Sequence, residues 1–295
     1  MSNLQIPNLF SVQGLVAVIT GGGSGLGRTA AHALTENGAA KVFILGRRAE
    51  ALHETAKQAP QTIIPVQADI TSKESLTAAY ETISAQTTHV DLLFANSGTI
   101  GPRATPPTPP ATLTDLREQL WAIDPQEFTR TFDINVTGSY YTVLAFLPLL
   151  EAANKRRPAP VKNRVSAPTA QVVITSSIAG FIRKVPFSVS YNLSKSTVNQ
   201  LVKVLATTLA PFDIRVNGIA PGLYRSDMSA GNFPEDDKGV SDGSFSREMI
   251  PLTRAGGEED FASLILWLAG PSGAYLNGNI TVTDGGRMAM QPNTY

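Results

Sequence analysis

The sequence predicts an α/β protein with one doubly wound sheet of seven parallel strands and helices on both faces. Three observations predict it. Short apolar runs alternate with helix-like stretches along the whole chain, which calls for crossover connections and hence parallel strands. A glycine-rich segment follows the first apolar run, where such sheets make their first strand-to-helix turn. The 295 residues are 42% apolar and 16% charged, enough to bury a sizeable core.

Taken in order, residues 15–20 (LVAVIT) are a continuous apolar run ending in glycines, the pattern of a strand buried on both faces. Residues 26–37 have helical spacing and stop at Gly38, a good helix terminator. Further strands are expected at 41–45, 62–67, 91–95, 171–175, 214–219 and 280–283. Helices are expected at 49–58, 73–86, 128–153, 188–209 and 258–268.

Three segments break this rhythm. Residues 101–110 hold five prolines (Pro102, Pro106, Pro107, Pro109 and Pro110), which predicts a stiff, extended surface loop. Residues 155–168 are basic and contain prolines, as a solvated insertion does. Residues 226–248 are rich in Gly, Ser and Asp and follow the sixth strand. Loops at that edge of a parallel sheet surround the ligand crevice, so a mobile substrate loop is expected at about 223–250. No repeat or linker divides the chain, and residues 1–295 are expected to form a single domain.

Composition narrows the function. Lys and Arg total 24 and so do Asp and Glu, so neither a nucleic acid nor an acidic membrane surface is an expected partner. The absence of cysteine excludes disulfides, thiolate nucleophiles and cysteine metal sites. His32, His53 and His89 lack ligand spacing, so no metal is expected. Residues 1–15 lack the charged head and apolar core of a signal peptide, and no apolar run reaches the roughly 18 residues of a membrane span. A cytoplasmic protein is the expectation.

The first turn reads Thr20-Gly21-Gly22-Gly23-Ser24-Gly25-Leu26-Gly27. Glycines there let the backbone turn tightly and approach a pyrophosphate, while the following helix offers free N–H groups. Dinucleotide contacts are expected at Gly21, Ser24, Gly25, Leu26 and Gly27, in a Rossmann-type architecture. The spacing G-x-x-x-G-x-G is one residue longer than G-x-G-x-x-G, and no Gly-Lys-Ser/Thr follows as in a P-loop. At the end of the second strand, where an acid would bind the ribose of NAD, stands Gly46, followed by Arg47 and Arg48. A missing acid and a present Arg47 favour NADP(H) over NAD(H), because guanidinium pairs with a 2′-phosphate.

Tyr191 and Lys195 lie four apart in an expected helix, so they project side by side from one face. A free phenol has a pKa of about 10, and a neighbouring cation is expected to lower it by roughly 1–3 units. Ser177, just past the fifth strand, opens onto the same sheet edge and can donate to a carbonyl oxygen.

With these residues in place, the chain resembles the short-chain dehydrogenase/reductase family from residue 15 to about 288. The resemblance rests on the glycine turn, on Asp69-Ile70 after the third strand, and on Ala95-Asn96-Ser97-Gly98, a variant of the family's N-N-A-G element. It continues through Asn135, Ser177, Tyr191, Lys195, Pro221-Gly222, Ser226 and the ending Thr281–Gly286. Departures are a longer serine-to-tyrosine interval and the proline-rich insertion after Gly98. The resemblance implies a catalytic set of Asn135, Ser177, Tyr191 and Lys195. It implies further cofactor contacts at Asp69, Ile70, Asn96, Gly98, Tyr191, Lys195, Pro221, Gly222 and Ser226. The activity it implies is hydride transfer between NADP(H) and a small-molecule ketone or secondary alcohol, with Tyr191 as acid–base and Asn135 holding relay water. Alternatives are a 3-oxoacyl or polyketide-type ketoreductase and a non-catalytic dinucleotide-binding protein. A homodimer or homotetramer is also implied, through helices 128–153 and 188–209. The substrate pocket is expected among 101–110, 181–187 and 226–248, where Arg183 and Lys184 are read as surface charges.

Overall fold

Strand β1 (Val16–Thr20) is buried along its length and sets the pattern for the sheet. Val16 and Val18 enter one core while Ala17 and Ile19 enter the other, because successive side chains leave a strand on opposite faces. The computed structural model describes residues 4–104, 107, 110–184, 188–233 and 237–295. The remaining strands are β2 (Lys41–Gly46), β3 (Ile63–Gln67), β4 (Leu92–Ala95), β5 (Gln171–Thr175), β6 (Arg215–Pro221) and β7 (Ile280–Thr283). They pair in parallel in the order β3-β2-β1-β4-β5-β6-β7, as expected for a doubly wound sheet. The winding direction reverses between β1 and β4, which opens a crevice at the carboxyl ends of the strands.

In chain order the helices are α1 (Ile6–Leu9), α2 (Gly25–Glu36), α3 (Ala49–Ala56), α4 (Lys73–Ser84), α5 (Leu113–Trp121), α6 (Pro125–Phe132), α7 (Ser139–Lys155), α8 (Val189–Leu209) and α9 (Glu258–Ala269). Ala30 and Leu34 of α2, Leu52 of α3 and Phe261 and Ile265 of α9 pack on one face of the sheet. Ile83 of α4, Phe146 and Leu150 of α7 and Val198 and Val202 of α8 cover the other.

Two corrections to the sequence reading fall between β4 and β5. The helix expected at 128–153 is three pieces: α6, a π-turn at Asp133–Gly138, and α7. The wider turn is stabilised locally. Ser139 Oγ donates to the Asn135 carbonyl at 2.9 Å, and Thr142 Oγ1 donates to the Gly138 carbonyl at 2.7 Å. Gly138 also leaves room for Ile70, whose Cδ1 would stand 2.8 Å from a Cβ there. The second correction is α5, which follows the proline-rich segment and was not expected. Its start is a reciprocal cap: Thr112 Oγ1 accepts from the Asp115 N–H at 3.2 Å, and the Asp115 carboxylate accepts from the Thr112 N–H at 2.7 Å. No α5 residue is buried, and Leu113 and Trp121 face outward.

Residues 158–166 are an exposed connection, apart from any ordered element, as read from the sequence. Parts of the other expected loops lie outside the described residues: 105–106 and 108–109 of the proline segment, 185–187, and 234–236 of the expected substrate loop. No described helix is long and apolar enough to cross a membrane.

Candidate active site

The carboxyl ends of β1, β4 and β5 are stitched by side chains. Thr20 Oγ1 accepts from the backbone N–H groups of Asn96 and Ser97, each at 3.0 Å. Asn96 Nδ2 donates back to the Thr20 carbonyl at 3.2 Å, and Thr175 Oγ1 donates to Asn96 Oδ1 at 3.0 Å. This lattice fixes the floor of a cleft enclosing about 730 Å³.

One end of the cleft is the glycine turn. Gly21 sits at φ 67°, a left-handed conformation that favours glycine. Gly27 has a different constraint: a Cβ there would run into the Gly21 carbonyl and stand 2.7 Å from Asn96 Nδ2. The first turn of α2 therefore packs hard against the turn that precedes it. Ser24, the residue before α2, gives that helix no side-chain cap, which leaves its leading N–H groups for another acceptor.

The rim beside this turn carries the arginines. Arg47 and Arg48 both line the cleft, with Gly46 at the end of β2. Arg48 Nη2 donates to Ser24 Oγ at 3.2 Å and pairs with Asp227 at 2.8 Å. Asp69 is half-buried, and its carboxylate accepts from the Thr71 N–H at 2.9 Å and the Thr71 hydroxyl at 2.7 Å. Those bonds, the backbone one foremost, hold its pKa below the usual carboxylate range, with a smaller pull from Arg47.

At the other end, Ser177 follows β5, and Tyr191 and Lys195 descend from the first turns of α8. Ser188 caps that helix by accepting from the Tyr191 N–H at 3.3 Å. Ser177 Oγ accepts from the Ala179 N–H at 3.1 Å and lies close enough to the Tyr191 phenol to act on its pKa. Lys195 is buried; its ammonium donates to the Thr175 carbonyl at 2.7 Å and stands 5.8 Å from the centroid of the Tyr191 ring.

The electrostatics differ from the simplest expectation. Burial raises the Tyr191 phenol above its ordinary value, and the Ser177 hydrogen bond opposes this only in part. The Lys195 ammonium, turned to the Thr175 carbonyl, does not bring the phenol down. Burial also pushes Lys195 down to about 8, since taking an ammonium out of water disfavours its charged form.

The cleft gathers Gly21, Ser24, Gly25, Leu26, Arg47, Asp69, Ile70, Asn96 and Gly98 with Ser177, Tyr191, Lys195, Pro221, Gly222 and Ser226. Two expected residues stand behind its wall: Gly27, which packs under the turn, and Asn135. The Asn135 amide donates to the Thr99 carbonyl and to Ser194 Oγ, each at 2.9 Å, and accepts from the Thr99 N–H at 2.8 Å. Its side chain is thus committed to joining the segment after β4 to α8. The space a Cβ on Gly98 would fill lies 3.1 Å from Asn135 Oδ1 and 3.6 Å from the Lys195 ammonium, so Gly98 keeps these groups close. Sequence reasoning missed Thr20 and Thr175 as organisers of the floor. Arg48 was visible only as the neighbour of Arg47.

The tail after β7 walls the same end. The Arg183 N–H donates to the Pro292 carbonyl at 2.8 Å, the Thr294 N–H donates to the Phe181 carbonyl at 3.0 Å, and the Phe181 and Tyr295 rings meet edge-on at 5.0 Å. Arg287 and Gln291 line the cleft from this side.

Comparison with known proteins shows the family. Residues 15–237 match the family described as short chain dehydrogenase. The short-chain dehydrogenase/reductase PhomF of Diaporthe leptostromiformis is 43% identical over 98% of this chain and 96% of its own. A rhamnolipids biosynthesis 3-oxoacyl-[acyl-carrier-protein] reductase of Pseudomonas aeruginosa is 32% identical over 94% of this chain and 97% of its own. Among solved structures, the Pseudomonas aeruginosa RhlG/NADP active-site complex superposes with a TM-score of 0.76 at 28% identity, covering 95% of this chain and 98% of that one. The chain belongs to the short-chain dehydrogenase/reductase family of oxidoreductases, whose members bind nicotinamide dinucleotides.

Proposed function

We propose that this chain is an NADP(H)-dependent oxidoreductase that interconverts a ketone and a secondary alcohol, with Tyr191 as general acid–base. The observation that carries the reading is the meeting of Ser177, Tyr191 and Lys195 in the cleft that the glycine turn opens. The uncapped start of α2 and the close packing of Gly27 suit a pyrophosphate at the positive end of that helix. Gly46 in place of an acid, with Arg47 and Arg48 beside it, suits a 2′-phosphate, and the NADP complex of the 28% identical relative supports the same choice.

When bound, the nicotinamide supplies the hydride for reduction and takes it up in oxidation. In reduction, the Tyr191 hydroxyl gives its proton to the substrate oxygen. Ser177 Oγ donates a hydrogen bond to the same oxygen and orients it. Lys195, anchored on Thr175, keeps positive charge near the phenolate that remains and would hold the nicotinamide ribose when the cofactor is bound. Burial keeps the phenol protonated at neutral pH, which sets the resting protein for proton donation. Asn135 is a positioning residue that holds the 98–101 segment against α8. The described residues of the segment at about 223–250 serve as a substrate loop.

Within this reading, a 3-oxoacyl thioester or polyketide-type ketone is the first substrate class to test, on the strength of the 32% identical 3-oxoacyl reductase. Tyr140 on α7 and Leu193 and Val204 on α8 are exposed, which supports a homodimer or homotetramer through these helices. The test is Tyr191→Phe, assayed by NADPH absorbance on a panel of ketones. The rate should drop about 10²–10⁴-fold with NADPH binding retained. An undiminished rate removes the catalytic assignment, and tighter binding of NADH than NADPH removes the cofactor assignment.

A further inference from the structure

Beyond Pro221 the chain crosses back over the glycine turn. The Ser226 Cβ lies 3.0 Å from where a Cβ on Gly25 would stand, so residues 226–229 form a strap across the mouth of the cofactor end. The strap is folded on itself, with the Ser226 N–H donating to Ser229 Oγ at 2.9 Å. Among the ties that hold it down, two reach side chains on either side of the cleft. Arg103 Nη2 donates to the Met228 carbonyl at 3.4 Å on the substrate side, and Asp227 pairs with Arg48 at 2.8 Å on the cofactor side.

The second tie is chemically odd for a structural one. Its side chains are 65% and 64% exposed, and a pair this open to water is readily exchanged. Yet it binds a guanidinium that lines the cleft with Gly46 and Arg47, where the 2′-phosphate is placed above. The carboxylate stays ionised there because the Arg48 hydrogen bond holds its pKa down, with Arg28 adding a smaller pull.

We propose that Asp227 is an internal anion occupying on Arg48 the place of the cofactor's 2′-phosphate, so that the phosphate releases the strap and Asp227 tunes selectivity between phosphorylated and unphosphorylated dinucleotides. This rests on the NADP(H) reading above. A phosphate carries more charge than a carboxylate and binds guanidinium in the same forked manner, so it displaces Asp227. Once displaced, Asp227 repels the phosphate, and the strap must lift away. An unphosphorylated dinucleotide leaves the pair intact and the strap closed. Asp227 therefore couples the group that distinguishes the two cofactors to the loop that borders the substrate.

The experiment uses the full chain, Asp227→Asn, and four probes: NADPH, NADH, adenosine 2′,5′-bisphosphate and 5′-AMP, titrated by calorimetry. Asp227→Asn should tighten NADPH and the bisphosphate by about two- to five-fold and leave NADH and 5′-AMP unchanged. In the unmutated chain, the bisphosphate should speed tryptic cleavage after Arg225, and 5′-AMP should not. Equal effects on both classes of probe, no change in NADPH affinity, or weaker NADH binding, which would mark Asp227 as a ribose acceptor, each overturn the proposal. If the unmutated chain binds NADH more tightly, the cofactor reading fails. If it prefers NADPH while Asp227→Asn is silent, only the strap inference fails.

Discussion

The two ends of the cleft hold their shape by different means. At the glycine turn the backbone is the instrument: Gly21 turns left-handed, Gly27 admits a neighbouring carbonyl, and the first turn of α2 is left open. At the other end the instruments are side chains: Ser177, Tyr191 and Lys195 are set by a strand end and a helix, then enclosed by a tail that returns over Phe181 and Arg183. Backbone geometry tolerates almost no added volume. Side chains walled by loops accept variation, so a family that keeps one cofactor class can take many substrates.

The largest test of this contrast compares two glycines. Gly27→Ala should cost about 3 kcal/mol, as overpacking against a fixed backbone does. Gly231→Ala, on the far side of the strap with nothing within 4 Å, should stay within about 0.5 kcal/mol. Urea denaturation measures both, and equal costs would erase the contrast.

Next in size is a pH effect confined to the end that holds Tyr191 and Lys195. Burial sets Lys195 at about 8, so carbonyl reduction should lose about tenfold in kcat/KM for each pH unit above that value. Stability moves the other way. Between about 8 and the ordinary lysine value of 10.5 the unfolded chain binds more protons at this group, so the lysine's burial penalty is relieved as pH rises. A loss of activity in that window is then not unfolding, and a profile flat to pH 10 would refute the lysine's part. The smallest effect concerns the wall. Removing residues 292–295 deletes the bonds to Phe181 and Arg183, and should raise the substrate KM about threefold, the scale of one or two exposed hydrogen bonds, with NADPH affinity unchanged. A matching loss of cofactor affinity would show that the two ends are not separable.

How much of this was legible follows the same division. The seven strands were readable because buried parallel strands are continuous apolar runs, and β5 and β7 fall on the expected residues. The glycine turn was readable because its constraint is local. The π-turn was hidden, since one extra residue in a helix leaves the surrounding apolar spacing nearly intact. The start of α5 carried a visible Thr-x-x-Asp cap, overshadowed by the prolines before it. The Arg48–Asp227 pair joins residues 179 apart, and no local pattern announces such a contact. The Tyr191 shift was misjudged in direction because spacing places two groups together without saying how dry their surroundings are.

The π-turn at Asp133–Gly138 has one more consequence. An α-helix advances about 100° per residue, so a single extra residue resets the phase of everything after it. Before the turn, α6 addresses α8, with Thr131 Oγ1 touching Ser190 Oγ at 3.1 Å; after it, α7 addresses the sheet with Val143, Phe146 and Leu150. Deleting one residue from the turn would swing those three toward water while keeping every amino acid that packs there. The core on that face is therefore written in angle as much as in composition.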